Sequence, residues 1–365
     1  MDKDQLYQWM ETIRQHLPLG KWQALTLAGF SLGVMDGRFC TLSIVAEKLG
    51  VLGKADSVER RLQRWLGNER IEVAACQRAW MEWVVHSGAI EGPRVYLLVD
   101  ETKLSDHMSV MLVGLAYHQR CIGLVWRSYA PRAWPDGQVT LIEGLLKQVQ
   151  AVLPTDREVI VEADRGIGTS PDLVRAVRKL GWHYLFRVQG ITHFQNADHP
   201  DGEIRQLVQR GGTPFGGAGQ VFKADGWLDC HVRVIWDKPY DEPWCLISDL
   251  ESLTGREYAQ RNWQEQSFRD LKSGGWHWND SQVWTPNHAD RLLLVLLLAY
   301  ALTLSLGLRV QTEPDLRTHV TRGHRRHWSL FRLGLRLVSA FQRLAEPLRF
   351  FLDLFQPPSV FRLAG

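Results

Sequence analysis

The chain has 365 residues, of which 45% are apolar and 23% charged, with a net charge of +3. This is ordinary globular composition: it excludes a disordered polyelectrolyte, and the length allows two domains or one elaborated core. The charge is uneven, with ten Arg against four acids in residues 309–365, net +6, and −3 over residues 1–308. A basic tail on a nearly neutral body points to a polyanionic partner.

The N-terminal stretch MDKDQLYQWMETIRQHL is charged and amphipathic, without the apolar core of a signal peptide. Residues 1–90 read as helices, with apolar positions at helical spacing and glycines between them. Within them, residues 57–70 (SVERRLQRWLGNER) are expected to open on Ser57 as a cap and to carry Arg60, Arg61, Arg64 and Trp65. Taken alone, this is a solvated helix whose Trp packs inward. The five cysteines are odd in number and form no C-x-x-C pair, so reduced, buried thiols are expected. His324 and His327 lack a nearby Cys pair and are discounted as zinc ligands. The 16 Trp should divide between core positions and exposed rings suited to stacking on bases.

From Val95 the pattern changes. VYLLVD is a continuous apolar run expected to be a buried strand ending in Asp100. SVMLVGLAY and CIGLVWRSYA follow as strands, with His118-Gln119-Arg120 as the hairpin turn. A helix is expected over residues 139–152. The buried strand EVIVEAD then ends in Asp164, and the glycine turn RGIG leads to a helix opened by Ser170-Pro171. HYLFRV is the fifth strand. Three strands, helix, strand, helix, strand is the order of a ribonuclease H-like core, a mixed sheet flanked by helices. Residues 190–243 interrupt it as a β-rich insertion, whose glycines are no P-loop because no Gly-Lys-Ser/Thr follows. WCLISDL is one more strand.

Next comes REYAQRNWQEQSFRDLKSGG, residues 256–275, which is helical in composition and stopped by Gly274-Gly275. On one continuous helix, Arg261, Glu265 and Lys272 would lie at about 300°, 340° and 320° from Tyr258, a single stripe. A solvated face of i, i+4 ion pairs is the ordinary account of such a stripe. A metal-bound phosphodiester would need the same mixture: a carboxylate for the metal and donors for the phosphate oxygens. LLLVLLLAYALTLSLGL (292–308) is about 26 Å long as a helix, short of the ~30 Å of a bilayer core, and reads as a helix buried in protein. The C-terminal region is amphipathic and basic.

Asp100 and Asp164, each at a strand end, together with Glu265 on a helix make three hard oxygen ligands suited to Mg²⁺ or Mn²⁺. A lone Asp in such a place is usually a turn former or helix cap. The spacing Tyr258, Arg261, Glu265, Lys272, with LLVDETKL around Asp100 and VEADRGIG around Asp164, resembles one large bacterial insertion-sequence family of DDE transposases, the IS-four family. The resemblance runs from about Val95 to Leu308 and implies a cytoplasmic DNA transposase, nucleoid-associated when on DNA. Two divalent ions would be held by Asp100, Asp164 and Glu265. Tyr258, Arg261 and Lys272 would contact DNA. It also implies that Trp244 stacks on a flipped base and that Arg60, Arg61 and Arg64 contact the terminal inverted repeats through an N-terminal helical domain. A homodimer pairing the two ends, acting on target DNA without a membrane, follows from the same resemblance. The expected divisions are 1–90 (helical, DNA-binding), 91–189 and 244–308 (core), 190–243 (insertion) and 309–365 (basic helical). Two alternatives stay open: a metal-dependent nuclease without strand transfer, and a catalytically silent domesticated DNA-binding protein.

Overall fold

The computed structural model describes residues 2–104, 106–320, 328–344 and 354–355; His324, His327 and part of the basic tail lie outside them. Five helices come first: α1 (Lys3–His16), α2 (Lys21–Gly37), α3 (Leu42–Lys48), α4 (Ala55–Leu66) and α5 (Val73–His86). A reciprocal capping box opens α1: the Asp2 side chain accepts from the Gln5 amide, and the Gln5 side chain accepts from the Asp2 amide. Ser57 does not cap α4. The helix starts at Ala55, after an extended Lys54, and Ser57 already lies in the first turn, its amide donating to the Lys54 carbonyl. Trp65 is core, its Nε1 donating to the Gln23 carbonyl at 3.0 Å. Arg60 and Arg64 are exposed on the other face and Arg61 is half-buried, as an amphipathic helix requires.

The sheet strands are β1 (Arg94–Leu104), β2 (Met108–Tyr117), β3 (Arg120–Tyr129), β4 (Glu158–Ala163), β5 (His183–Arg187), β6 (His193–Gln195), β7 (Gly202–Glu203), β8 (Phe215–Val221), β9 (Leu228–Ile235) and β10 (Trp244–Ser248). The helices among and after them are α6 (Gln138–Gln150), α7 (Arg165–Gly168), α8 (Pro171–Lys179), α9 (Arg261–Leu271), α10 (Pro286–Thr312), α11 (Pro314–Val320) and α12 (Leu330–Leu344). The strands form one mixed sheet in the order β3-β2-β1-β4-β5-β10-β9-β8-β6-β7. β1, β4 and β5 run parallel, and the other pairings are antiparallel. This is the ribonuclease H-like arrangement expected from the order of elements. The β-rich stretch 190–243 continues the same sheet, because β9 pairs with β10. At the β2–β3 hairpin His118 and Gln119 carry φ of 42° and 63°, the left-handed pair of a two-residue hairpin turn.

Three local expectations need correction. Asp100 does not end its strand: β1 runs on to Leu104 because β2 keeps pairing with it, from Asp100↔Leu112 to Leu104↔Met108. What ends there is the parallel pairing with β4, whose last pair is Val99↔Ala163. RGIG is not an open glycine turn but one turn of helix, α7. Residues 256–275 are not one helix either: Arg256–Gln260 form a 3₁₀ turn, α9 starts at Arg261, and Lys272 leaves the helix with ψ −126°.

The long apolar helix α10 is core. It is long and apolar enough to span a membrane, yet 94% of that stretch is buried inside the protein. It packs on β3, α2 and α12. Its crossing with α12 is close enough to require glycine on both sides. A Cβ on Gly307 would stand 2.0 Å from the Leu330 carbonyl oxygen, and one on Gly334 would stand 1.9 Å from that of Thr303. All five cysteines are free and buried.

Candidate active site

The parallel register does the first part of the assembly. With Val99 opposite Ala163, the next residue on each strand is an aspartate, so Asp100 and Asp164 emerge side by side where the pairing ends. Asp164 is a helix cap as well: its Oδ1 accepts from the amides of Gly166 (3.0 Å) and Ile167 (3.1 Å) at the start of α7. Its other oxygen remains for the site. Asp100 is buried, with Oδ1 accepting from the Glu101 amide at 2.9 Å.

α9 supplies the rest, and a polar underside holds it in place. Gln264 donates to the Leu112 carbonyl at 3.1 Å, and Ser267 accepts from the Cys121 amide at 2.8 Å. Asp270 pairs with Arg120 at 2.6 Å, and the Tyr300 hydroxyl of α10 lies 3.0 Å from Ser267 Oγ and 3.1 Å from Asp270 Oδ2. Buried hydrogen bonds of this kind fix both the rotation and the height of a helix. The opposite side of α9 then presents Arg261 and Glu265 to the aspartates.

Arg261 is the centre of the cluster. Its side chain is 6% exposed, and its guanidinium stands among three carboxylates: Nη2 lies 2.9 Å from Asp100 and 3.9 Å from Asp164, and Nη1 lies 3.3 Å from Glu265. Burial pushes the Asp100 carboxyl up to about 7; Arg261 opposes the shift, while Asp164 and Glu265 add to it. Lys272, just past α9, turns back to β1 and donates to Thr102 Oγ1 and the Lys103 carbonyl, both at 2.6 Å. Burial lowers its pKa and Asp100 counters that. Tyr258 sits on the 3₁₀ turn, buried, with its ring edge-on to Trp244 at 5.3 Å. Trp244 itself is half-buried at the start of β10. The structure thus brings Asp100, Asp164, Glu265, Arg261, Lys272, Tyr258 and Trp244 to one end of the sheet. Arg60, Arg61 and Arg64 lie apart, on a helix packed chiefly on α2, α3 and α10.

One residue here was not singled out from the sequence. Glu162, two before Asp164 on β4, is fully buried, and among the described residues neither carboxylate oxygen has a hydrogen-bond partner. Burial pushes its pKa far up, Arg261 pulls it down and Glu257 pushes it further. An acid inside a continuous apolar strand was the available signal.

Among the described residues no group of three His, Cys, Asp or Glu stands close enough together to hold a metal. The donor set nevertheless fits a hard divalent ion, since it consists of carboxylate oxygens already gathered around one positive charge.

Residues 136–302 match a family model described as the transposase DDE domain. Over this stretch, a little under half of the chain, the protein is similar to transposase DDE domains. It contains Asp164, Glu265 and all of α9, and begins after Asp100. No curated protein matches the chain. A DDE transposase has DNA as its partner and generally uses divalent metal ions.

Asp100 gives the protein a pH signature. Its pKa is near 3.8 in an unfolded chain and about 7 in the fold, so between these values the native state holds the extra proton. Stability from this group is therefore complete below pH 4 and is lost as pH rises toward 7. Urea midpoints of the metal-free protein should fall across that window, and Asp100→Asn should flatten the fall. An unchanged slope in the variant would mean that Asp100 titrates normally.

Proposed function

We propose that the protein is an insertion-sequence transposase of the Tyr-Arg-Glu-Lys type that binds terminal inverted repeats and performs metal-dependent strand cleavage and strand transfer. The observation that carries this reading is the gathering of Asp100, Asp164 and Glu265 around the Arg261 guanidinium. Asp100, Asp164 and Glu265 would hold two Mg²⁺ or Mn²⁺ ions, which supply Lewis acidity to a phosphodiester and a nucleophilic oxygen at neutral pH. Arg261 and Lys272 neutralise phosphate charge beside the scissile bond, held by α9 and by β1. Positioning and charge neutralisation are the main needs of phosphoryl transfer. Tyr258 orients Trp244 through their edge-on contact and offers its hydroxyl to a neighbouring phosphate. Residues 1–90 serve as the end-binding domain, 91–189 and 244–308 as the catalytic core, 190–243 as an insertion, and 309–365 as a basic helical region. Two copies pair the two ends.

Asp100→Asn, Asp164→Asn and Glu265→Gln should each abolish Mg²⁺-dependent nicking of end DNA while leaving its binding within a few-fold. Retained nicking would remove that residue from the site. Joined donor–target products from the wild type separate a transposase from a plain nuclease, which would yield only cuts.

Replacing Arg60, Arg61 and Arg64 by Ala should weaken end binding and flatten its salt dependence. The log–log slope should drop by about 0.9 for every phosphate that the variant no longer neutralises. A gel-shift titration giving the wild-type slope would return α4 to an ordinary solvated face.

Trp244 is proposed as a stacking platform for a base displaced from the DNA end, an interaction worth about 1–3 kcal/mol. Half-buried and edge-on to Tyr258, the ring is at once part of the small core around Leu246 and Leu253 and open to a ligand. Trp244→Ala should cut the first strand, stall afterwards, and recover in part on DNA abasic at that base. Equal failure on intact and abasic DNA, with a melting point lowered by several degrees, would make the ring purely structural.

A further inference from the structure

Beside Asp164 and Trp244 lies a cavity of about 500 Å³. Arg165, the residue after Asp164, forms one wall, and Pro243, the residue before Trp244, forms another. Arg187 and Arg205 also line it, with Trp236 and the backbone at Gly190. Three guanidiniums beside the cluster of acids would suit a phosphodiester, yet two carboxylates, Asp241 and Glu242, also line the cavity. Glu242 pairs with Arg165 through Oε2, and the same oxygen lies 3.5 Å from Arg187 Nη2.

We propose that Glu242 is a built-in competitor for DNA phosphate, holding Arg165 and Arg187 until DNA displaces it. The inference rests on the reading of the protein as a DNA transposase and adds a control on how DNA enters its site. Glu242 sits in the β9–β10 connection, residues 236–243, whose other acids are also paired: Asp237 with Arg256 at 2.6 Å and Asp241 with Arg210 at 3.3 Å. Glu242 is the one that reaches guanidiniums flanking Asp164. The pair it makes is exchangeable. The side chains of Glu242 and Arg165 are 58% and 53% exposed, so water and salt screen their attraction. A phosphodiester can offer each arginine an oxygen of its own, where Glu242 shares one between two, and adds the release of counterions from DNA. The carboxylate therefore tunes affinity instead of blocking it, and sets a threshold that weak, non-specific DNA must overcome.

The test is a gel-shift titration of the full chain with a short duplex carrying a frayed end, over a series of salt concentrations. Glu242→Gln should bind about threefold to tenfold tighter at low salt, with a steeper salt slope as the freed arginines take phosphates. Asp241→Asn makes the same charge change one residue away, on a side chain that also lines the cavity but pairs with Arg210 outside it, and should gain much less. In an Arg165→Ala/Arg187→Ala background the Glu242→Gln gain should vanish; matched melting temperatures confirm folding throughout. Equal gains from Glu242→Gln and Asp241→Asn, or a gain that survives removal of both arginines, would reduce the effect to net charge and overturn the proposal. A wild type that binds no DNA even at low salt would overturn the transposase reading together with it. DNA binding without a gain specific to Glu242 would sink only the competitor.

Discussion

A guanidinium enclosed by three carboxylates sets the terms for this end of the sheet. The β1–β4 register places Asp100 next to Asp164, and both strands are too deeply built into the sheet to slide apart. Two carboxylates so close, one of them buried, repel in a medium that screens poorly. Arg261 is the cation that makes the arrangement stable in the free chain. Arg261 is thus a structural counter-ion, and in the proposed function a divalent ion taking these carboxylates would release it toward phosphate.

Arg261 can play this part only if α9 cannot drift, and the cost of holding it falls on the other side of the helix. Gln264, Ser267 and Asp270 occupy positions where an ordinary amphipathic helix would put Leu or Ile, and each finds a partner on β2, β3 or α10. Hydrogen bonds specify rotation in a way that apolar packing does not, because a small rotation leaves donors unpaired. α10 completes the clamp. Its apolar length packs on β3, and Tyr300 reaches from it to the polar face of α9. The glycine crossing of α10 with α12 brings the outer layer near enough to bury that length fully.

Much of this was legible in the sequence where one element decides the outcome. Continuous apolar runs gave β1, β4 and β5, and the hairpin residues His118 and Gln119 gave the β2–β3 turn. The convergence of Asp100, Asp164 and Glu265 was also readable, from acids placed after apolar runs and on a polar helix. Features set by a partner strand or by a local change of helix type were not. Asp100 is mid-strand because β2 continues the pairing past the end of β4, a tertiary fact invisible in VYLLVD. The single stripe through Tyr258, Arg261, Glu265 and Lys272 assumed one helical pitch. The 3₁₀ turn instead sends Tyr258 into a small core, and the break after Leu271 sends Lys272 to β1. The four groups still meet, by different routes. Glu242 lies 77 residues from Arg165, beyond the reach of any local pattern.

Glu162 carries the charge argument one step further. It lies two residues before Asp164, so four carboxylates share this end of the sheet with Arg261, whose charge also acts on Glu162. A fully buried acid without hydrogen-bond partners is stable only with its proton on. Kept neutral, it adds no negative charge beneath Arg261, and the guanidinium is left to the three carboxylates above. The burial that raises the pKa of Glu162 thus leaves the Arg261 guanidinium to Asp100, Asp164 and Glu265.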